Sequence, residues 1–168
     1  MNVRLRPLRE EDAATSVRWR HDPGVWTYTL AAGRPGPGPT LEDETAWIRR
    51  VIADPTGRRF AILVEETYVG NIYLTGIADG AAEYHIVVGD RNWWGRGVAR
   101  AATLLILDYG WDELGLDSVH LIVHPDNVAA LRLYDSLGFV REGMYGAFIR
   151  MRLARPAERP CRKERQTT

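Results

Sequence analysis

The sequence predicts one α/β (α+β) domain, a mixed central sheet of about seven strands with four helices on its faces. Three observations predict it. Short runs that alternate apolar and polar residues, the strand period, are interleaved with stretches whose apolar residues recur every three or four positions, the helix period. Glycine, proline and aspartate punctuate the junctions between these runs. The 168 residues, 45% hydrophobic and 26% charged, suit one buried core rather than a repeat array or a disordered chain.

Val3 to Leu5 alternates as a strand, and Pro7 separates it from a helix beginning near Arg9. Glu10, Glu11 and Asp12 complement the dipole in that helix's first turn. Asp22-Pro23-Gly24 ends the helix, and Gly33 to Pro39 is a loop, because proline and glycine dominate it; it reads either as a linker or as a substrate-side loop. Thr40 is an N-cap for a second helix running through Trp47 to Ile52, which Asp54-Pro55 stops. Phe60 to Val64 and Val69 to Ile77 form a hairpin across Glu65-Glu66-Thr67, and Ala82 to Val88 completes an antiparallel meander. Val98, Ala101, Ala102, Leu105 and Tyr109 recur at helical spacing, and Gly115 closes that helix. Ser118 to Val123 is a strand. Asp126 or Asn127 caps a helix that carries Ala130, Leu133, Tyr134 and Leu137 on one face and ends at Gly138. Phe139 to Arg141 and Ala147 to Leu153 are the last strands. The domain is expected over residues 1–154, with 155–168 a polar, disordered tail.

Twenty-two basic residues balance 22 acidic ones, so no long-range field draws the chain to nucleic acid or an anionic membrane. The single cysteine, Cys161, makes no internal disulfide and argues against a metal cluster; with no signal peptide or membrane-length apolar run, a cytoplasmic protein is expected. Only Lys163 among the basic residues is lysine, a skew in coding, and clusters of arginine are discounted accordingly.

The segment Arg91-Asn92-Trp93-Trp94-Gly95-Arg96-Gly97-Val98-Ala99 joins a strand to a helix and puts two glycines where the helix begins. Glycine lets backbone approach a ligand, and the unpaired N–H groups of a helix N-terminus point at bound anions, so a pyrophosphate fits; a tight turn that needs glycine for steric reasons fits as well. Dinucleotide folds want Gly-x-Gly-x-x-Gly after an early strand and P-loops want Gly-Lys-Ser/Thr, whereas Val98-Ala99-Arg100 follows Gly97, which excludes both.

At these residues the chain resembles the GNAT superfamily of CoA-dependent N-acyltransferases, whose pyrophosphate motif is Gln/Arg-x-x-Gly-x-Gly/Ala. Gly95 and Gly97 match its glycines, and Asn92 stands where the family has Gln or Arg. Trp94 to Ala99 is similar to the version found in the branch of ribosomal-protein N-terminal and nucleotide-sugar amine acetyltransferases. Asn127 to Phe139 resembles the family's second signature, Asn-x-x-Ala-x-x-Leu-Tyr-x-x-x-Gly-Phe. The resemblance spans roughly Val3 to Leu153 and implies the GNAT fold, acetyl-CoA as cofactor, and direct acetyl transfer to an amine. The cofactor contacts it implies are Asn92, Trp94, Gly95, Arg96, Gly97, Val98 and Ala99 in the loop, Val87 and Val88 on the strand before it, and Asn127, Ala130 and Tyr134 on the later helix.

Direct transfer needs no covalent nucleophile, so the lone Cys161 is not missed. The resemblance places Tyr134 as general acid for the departing thiolate; packing in the core explains a tyrosine there too. Glu83 and His85 project from one face of their strand because strand side chains alternate. Glu83 is the first candidate for the amine's proton and His85 the second, with a water chain the alternative. Asn127 is either a pantetheine contact or a helix cap. Trp19-Arg20-His21-Asp22-Pro23 resembles the Trp-Arg-Asn-Asp-Pro element of nucleotide-sugar and antibiotic-modifying branches, and Trp19, Arg20, Trp26, Tyr28 and Tyr73 are the candidate acceptor residues. The expected partner is a small-molecule amine, with a homodimer left open. A protein N-terminus as acceptor, and a non-catalytic CoA-binding module, are the competing readings.

Overall fold

The computed structural model describes residues 1–30 and 36–158. Cys161, Lys163, the tail from 159 onward and part of the Gly33–Pro39 loop lie outside them. The seven strands follow the expected order among fourteen elements: β1 (Val3–Pro7), α1 (Ala13–Arg20), α2 (Pro23–Trp26), α3 (Leu41–Ile52), β2 (Arg58–Val64), β3 (Thr67–Ala78), β4 (Ala81–Val88), α4 (Val98–Asp112), β5 (Ser118–Val123), α5 (Val128–Ser136), β6 (Val140–Tyr145) and β7 (Phe148–Ala154), with single 3-10 turns at Glu10–Asp12 and Arg91–Trp93. The seven strands form one sheet in the order β1-β2-β3-β4-β5-β7-β6. Every pairing is antiparallel except β4 with β5.

Alternation along the strands divides the sheet into two faces. Ile62, Ile72, Leu74, Ala82 and Tyr84 join Val98, Ala102, Ile106 and Trp111 of α4 in the larger core. On the opposite face Ala61 packs with Leu8, Ala13 and Ile48, and Trp47, Tyr68 and Tyr73 cover it. The two acidic starts differ from expectation. The helix anticipated near Arg9 opens with the 3-10 turn because Asp12 is drawn inward: its carboxylate takes both Arg6 nitrogens at 2.7 and 2.8 Å and the Arg9 N–H at 2.8 Å, so α1 proper begins at Ala13. Asp22, expected only to stop that helix, also caps the short α2 by accepting the Gly24 N–H at 2.9 Å, making five helices rather than four.

Thr40 and Asp43 form a reciprocal capping box at the start of α3, with bonds of 2.9 and 3.1 Å. Two-residue turns close the meander. Glu65 and Glu66 both take positive φ (46° and 69°), as do Asp79 and Gly80 (50° and 73°), the geometry that matches the twist of a hairpin. Phe139, expected to begin a strand, instead completes the end of α5: its N–H donates to the Tyr134 carbonyl at 3.0 Å and its ring is buried, so β6 starts one residue later. Arg155, assigned to the tail from sequence, is docked; its backbone N–H donates to the Asp117 carbonyl at 2.8 Å and its guanidinium to the Leu116 carbonyl. No helix among the described residues is long and apolar enough to cross a membrane.

Candidate active site

The site begins where the sheet comes apart. β4 and β5 pair only at Ala81–Ser118, Ala82–Val119 and Glu83–His120, and beyond those residues β4 keeps β3 alone as a partner. In an antiparallel ladder successive residues turn their peptide groups to opposite edges. The Gly89 N–H bond to the Val69 carbonyl at 2.9 Å fixes the phase: His85 and Val87 face β3, while Ile86 and Val88 face the gap. Val87, expected from sequence at the cofactor, lines the cavity with its side chain. Its peptide groups are used by β3, and Ile86, which was not named, presents its backbone instead. The Val88 carbonyl is taken by the Trp94 indole N–H at 2.7 Å, leaving the Val88 N–H and both Ile86 groups without a strand partner.

At the end of β4 the chain passes through Asp90, whose carboxylate accepts the Asn92 N–H at 3.0 Å, and enters the glycine loop. Gly95 and Gly97 adopt φ of 69° and 81°, and no side chain caps α4. The first N–H past Trp94 with a protein acceptor is that of Ala101, which bonds the Gly97 carbonyl at 3.0 Å. Six successive N–H groups, Gly95 to Arg100, therefore lack an acceptor among the described residues. A Cβ built on Gly95 or Gly97 would meet nothing within 4 Å. An open cradle of donors at the positive end of a fifteen-residue helix fits a pyrophosphate. Around it, Asn92 is exposed, the Arg96 guanidinium lies 5.4 Å from the Trp93 ring, Val98 turns its side chain into the core and offers only its N–H, and the Ala99 carbonyl accepts the Thr103 hydroxyl at 2.6 Å.

A cavity of about 480 Å³ lies at the gap and is lined by residues from both faces of the sheet. On the α4 and α5 side it is lined by Tyr84, Ile86, Asn127, Ala130 and Tyr134. Tyr134 is buried, and loss of hydration pushes its phenol up to about 12, against a smaller opposing effect from its hydrogen bond with Tyr84. Tyr84 in turn shares a 2.7 Å bond with Thr103, which connects Tyr134 to the first turns of α4. Asn127 does cap α5, accepting the Ala130 N–H at 3.3 Å, and also lines the cavity.

The same cavity is lined by Trp19, Arg20, Trp26, Tyr28 and Tyr73, the residues anticipated for the acceptor, together with Glu83 and His85. The Trp19 ring lies so close to Gly89 that a Cβ there would sit 2.0 Å from it, which fixes the indole at the edge of the gap. His85 Nε2 is 3.0 Å from the Thr75 hydroxyl and 3.7 Å from the Glu83 carboxylate. Burial lowers the His85 pKa below its ordinary value, opposed by Glu83 and reinforced by Arg59 and His120, so the ring is a neutral base at neutral pH.

Sequence reasoning missed Glu44, Trp47 and Arg59. Glu44, 2% exposed, accepts the Ser16 hydroxyl at 2.7 Å and the Arg20 Nε at 3.0 Å. Arg20 lies between the rings of Trp26 and Trp47, 4.7 Å from each centroid. Arg59 stacks on Tyr73 at 4.7 Å. The amphipathic period of α3 does mark Glu44 as sharing a helix face with Trp47 and Ile48, a polar residue on an apolar stripe, and that was the available signal.

Comparisons with known proteins agree with this geometry. The chain matches the acetyltransferase (GNAT) domain model over residues 2–140. It is 31% identical over 144 residues to an uncharacterized N-acetyltransferase of Bacillus licheniformis, covering 83% of this chain and 80% of that protein. It is 30% identical over 152 residues to the spermidine N(1)-acetyltransferase of Escherichia coli, covering 88% and 79%. The structure of spermidine N-acetyltransferase from Vibrio cholerae in complex with CoA and spermine has the same fold, with a TM-score of 0.78 at 24% identity over 90% of this chain and 95% of that one. With the donor cradle, the parted strands and the two matched signatures, the chain belongs to the GNAT superfamily and is an acetyl-CoA-dependent N-acetyltransferase.

Proposed function

We propose that the protein acetylates a primary amine of a small molecule, such as an amino sugar, a nucleotide-linked amino sugar or an amine-bearing antibiotic. The observation that carries this reading is the cavity itself, whose aromatic-walled half ends at Glu83 and His85 on the side of the sheet away from the glycine cradle. Relatives named for spermidine, a small amine, support it.

When bound, acetyl-CoA supplies a thioester whose carbonyl an uncharged amine attacks. The N–H groups of Gly95 to Arg100 hold its pyrophosphate, and the gap-facing groups of Ile86 and Val88 hold the pantetheine arm. Those same two N–H groups are the donors this chain offers to a developing oxyanion. Glu83 takes the proton of the acceptor ammonium, directly or through water, and His85, neutral and 3.7 Å away, is the alternative acceptor. Tyr134 keeps its proton at Oη over the whole working range, because its pKa is about 12, and gives it to the departing thiolate. Tyr84 and Thr103 form a hydroxyl chain behind it. Trp19, Trp26, Tyr28, Trp47 and Tyr73 exclude water and present flat apolar surface to the acceptor.

A thiol-release screen across amino sugars, aminoglycosides, polyamines and short peptides tests the proposal. Turnover of small amines well above that of peptides is expected. Turnover confined to peptides would replace it with the N-terminal acetyltransferase reading.

A further inference from the structure

Building on the reading of this cavity as the acceptor site, we infer that the acceptor carries an oxyanion, a carboxylate or a phosphate, which Arg59 binds. Arg59, Tyr73 and His85 are register partners across three adjacent strands, Arg59 opposite Tyr73 and Tyr73 opposite His85, so their side chains share one face of the sheet. Two strand spacings separate the backbones of Arg59 and His85 by about 10 Å. An amine seated at Glu83 and His85 thus places a group several bonds away beside Arg59.

The Arg59 guanidinium is half-buried and lines the cavity. Its faces are occupied, by Tyr73 at 4.7 Å and Trp47 at 5.8 Å, which fixes the plane of the fork. Its edges are not. Among the described residues none of its N–H groups has an acceptor, no carboxylate lies within 4.0 Å, and the Nε is fully shielded from water as well. Asp54 attracts Arg59 through space, but its carboxylate is bonded to the Thr56 hydroxyl and N–H at 2.8 and 2.9 Å and makes no ion pair with Arg59. A shielded donor without a partner is costly to leave unmade, and a planar fork is the donor that a carboxylate or phosphate satisfies in pairs.

The other charges of the acceptor half do not cancel it. Glu44 is committed to Ser16 and to Arg20. Among the described residues lining the cavity, Glu83 is the remaining carboxylate, placed at the gap for the ammonium. A polycation would bring its second positive group toward Arg59; an amine with an oxyanion meets opposite charge at both ends.

Matched amines that differ in the oxyanion alone test the inference: lysine against cadaverine for carboxylate, and glucosamine 6-phosphate against glucosamine for phosphate. In the wild type the oxyanion member of at least one pair is expected to have a kcat/KM at least tenfold higher, the usual effect of a charge-assisted hydrogen bond. Arg59→Met keeps the stacked stem and should bring that ratio close to one, while changing kcat/KM for glucosamine, which has no second charge, less than threefold; Arg59→Lys should recover part of it. Glucose 6-phosphate and 6-acetamidohexanoate, which carry the oxyanion and no free amine, should bind wild type and not Arg59→Met in calorimetry. Equal or better use of cadaverine and glucosamine by wild type, or an unchanged ratio in an Arg59→Met protein with native melting temperature, overturns the inference. If no small amine is acetylated at all, the acceptor reading has failed, and the glucose 6-phosphate titration still decides whether Arg59 is an oxyanion site.

Discussion

Removing one oxygen from Tyr134 separates its two roles. In Tyr134→Phe the rings that pack edge-on to Tyr84 at 5.9 Å and against Phe139 at 5.5 Å stay in place. One buried hydrogen bond is lost, but Tyr84 keeps its 2.7 Å partner Thr103 and is not orphaned. The stability cost is then about 1 kcal/mol, or roughly 3 °C in Tm for a chain of this size. The effect on turnover is larger. A positioned general acid is worth ~10² or more, so kcat at saturating amine and acetyl-CoA should fall by about two orders of magnitude with acetyl-CoA affinity within a few-fold. Because burial pushes the phenol up to about 12, the wild-type rate should show no alkaline fall from this group up to about pH 10. Steady-state thiol release across pH, with calorimetry for the cofactor, measures all three. A variant turning over within threefold of wild type, or an alkaline limb near pH 9 that disappears in the variant, would refute the assignment.

Gly97→Ala should cut acetyl-CoA affinity at least tenfold by placing a methyl in the cradle, whereas Gly76→Ala, also at positive φ with open space around it but at the far end of β3, pays a similar backbone strain and should bind normally; equal affinities in isothermal titration would move the pyrophosphate elsewhere. Glu44→Gln leaves Arg20 facing an amide in a site where the carboxylate is 2% and the guanidinium 25% exposed, so urea unfolding should show a loss of about 2–3 kcal/mol, below the range for fully buried pairs; an unchanged midpoint would show that the pair contributes nothing. His85, with a pKa held below 6.5, lets the unfolded chain take up a proton first as pH falls, so its contribution to stability is present above pH 6.5 and is lost below it. Melting curves from pH 7 to 5 should therefore fall less steeply in His85→Gln than in wild type, with His120 contributing the same sign in both; parallel curves would contradict the depressed value.

Local chemistry made most of the fold legible. Thr40 and Asn127 act as the caps their side chains suggest, and Gly95 and Gly97 mark a loop whose positive φ only glycine takes easily. The failures share a cause. Whether Val87 or Ile86 shows its backbone to the gap depends on the phase of the β3–β4 ladder, which one hydrogen bond at Gly89 fixes and no run of residues states. Arg59 became informative only once strand register set it opposite Tyr73; in a chain whose basic residues are almost all arginine, composition had hidden it. Asp22 and Phe139 were each read as the edge of one element when their backbone bonds tie them into another. The non-catalytic module kept open by sequence is closed by the family to which the chain belongs.

The parting of β4 and β5 has a kinetic meaning. A cavity lined from both faces of a sheet has room for each reactant on its own side, so both can be bound together before the acetyl group moves. Double-reciprocal plots should intersect, as for a ternary complex, and free CoA should compete with acetyl-CoA while leaving the amine's side of the cavity free. The parallel lines of a covalent, substituted-enzyme scheme have no structural source here, since the two reactants meet face to face at a line of unpaired peptide groups in the middle of the sheet.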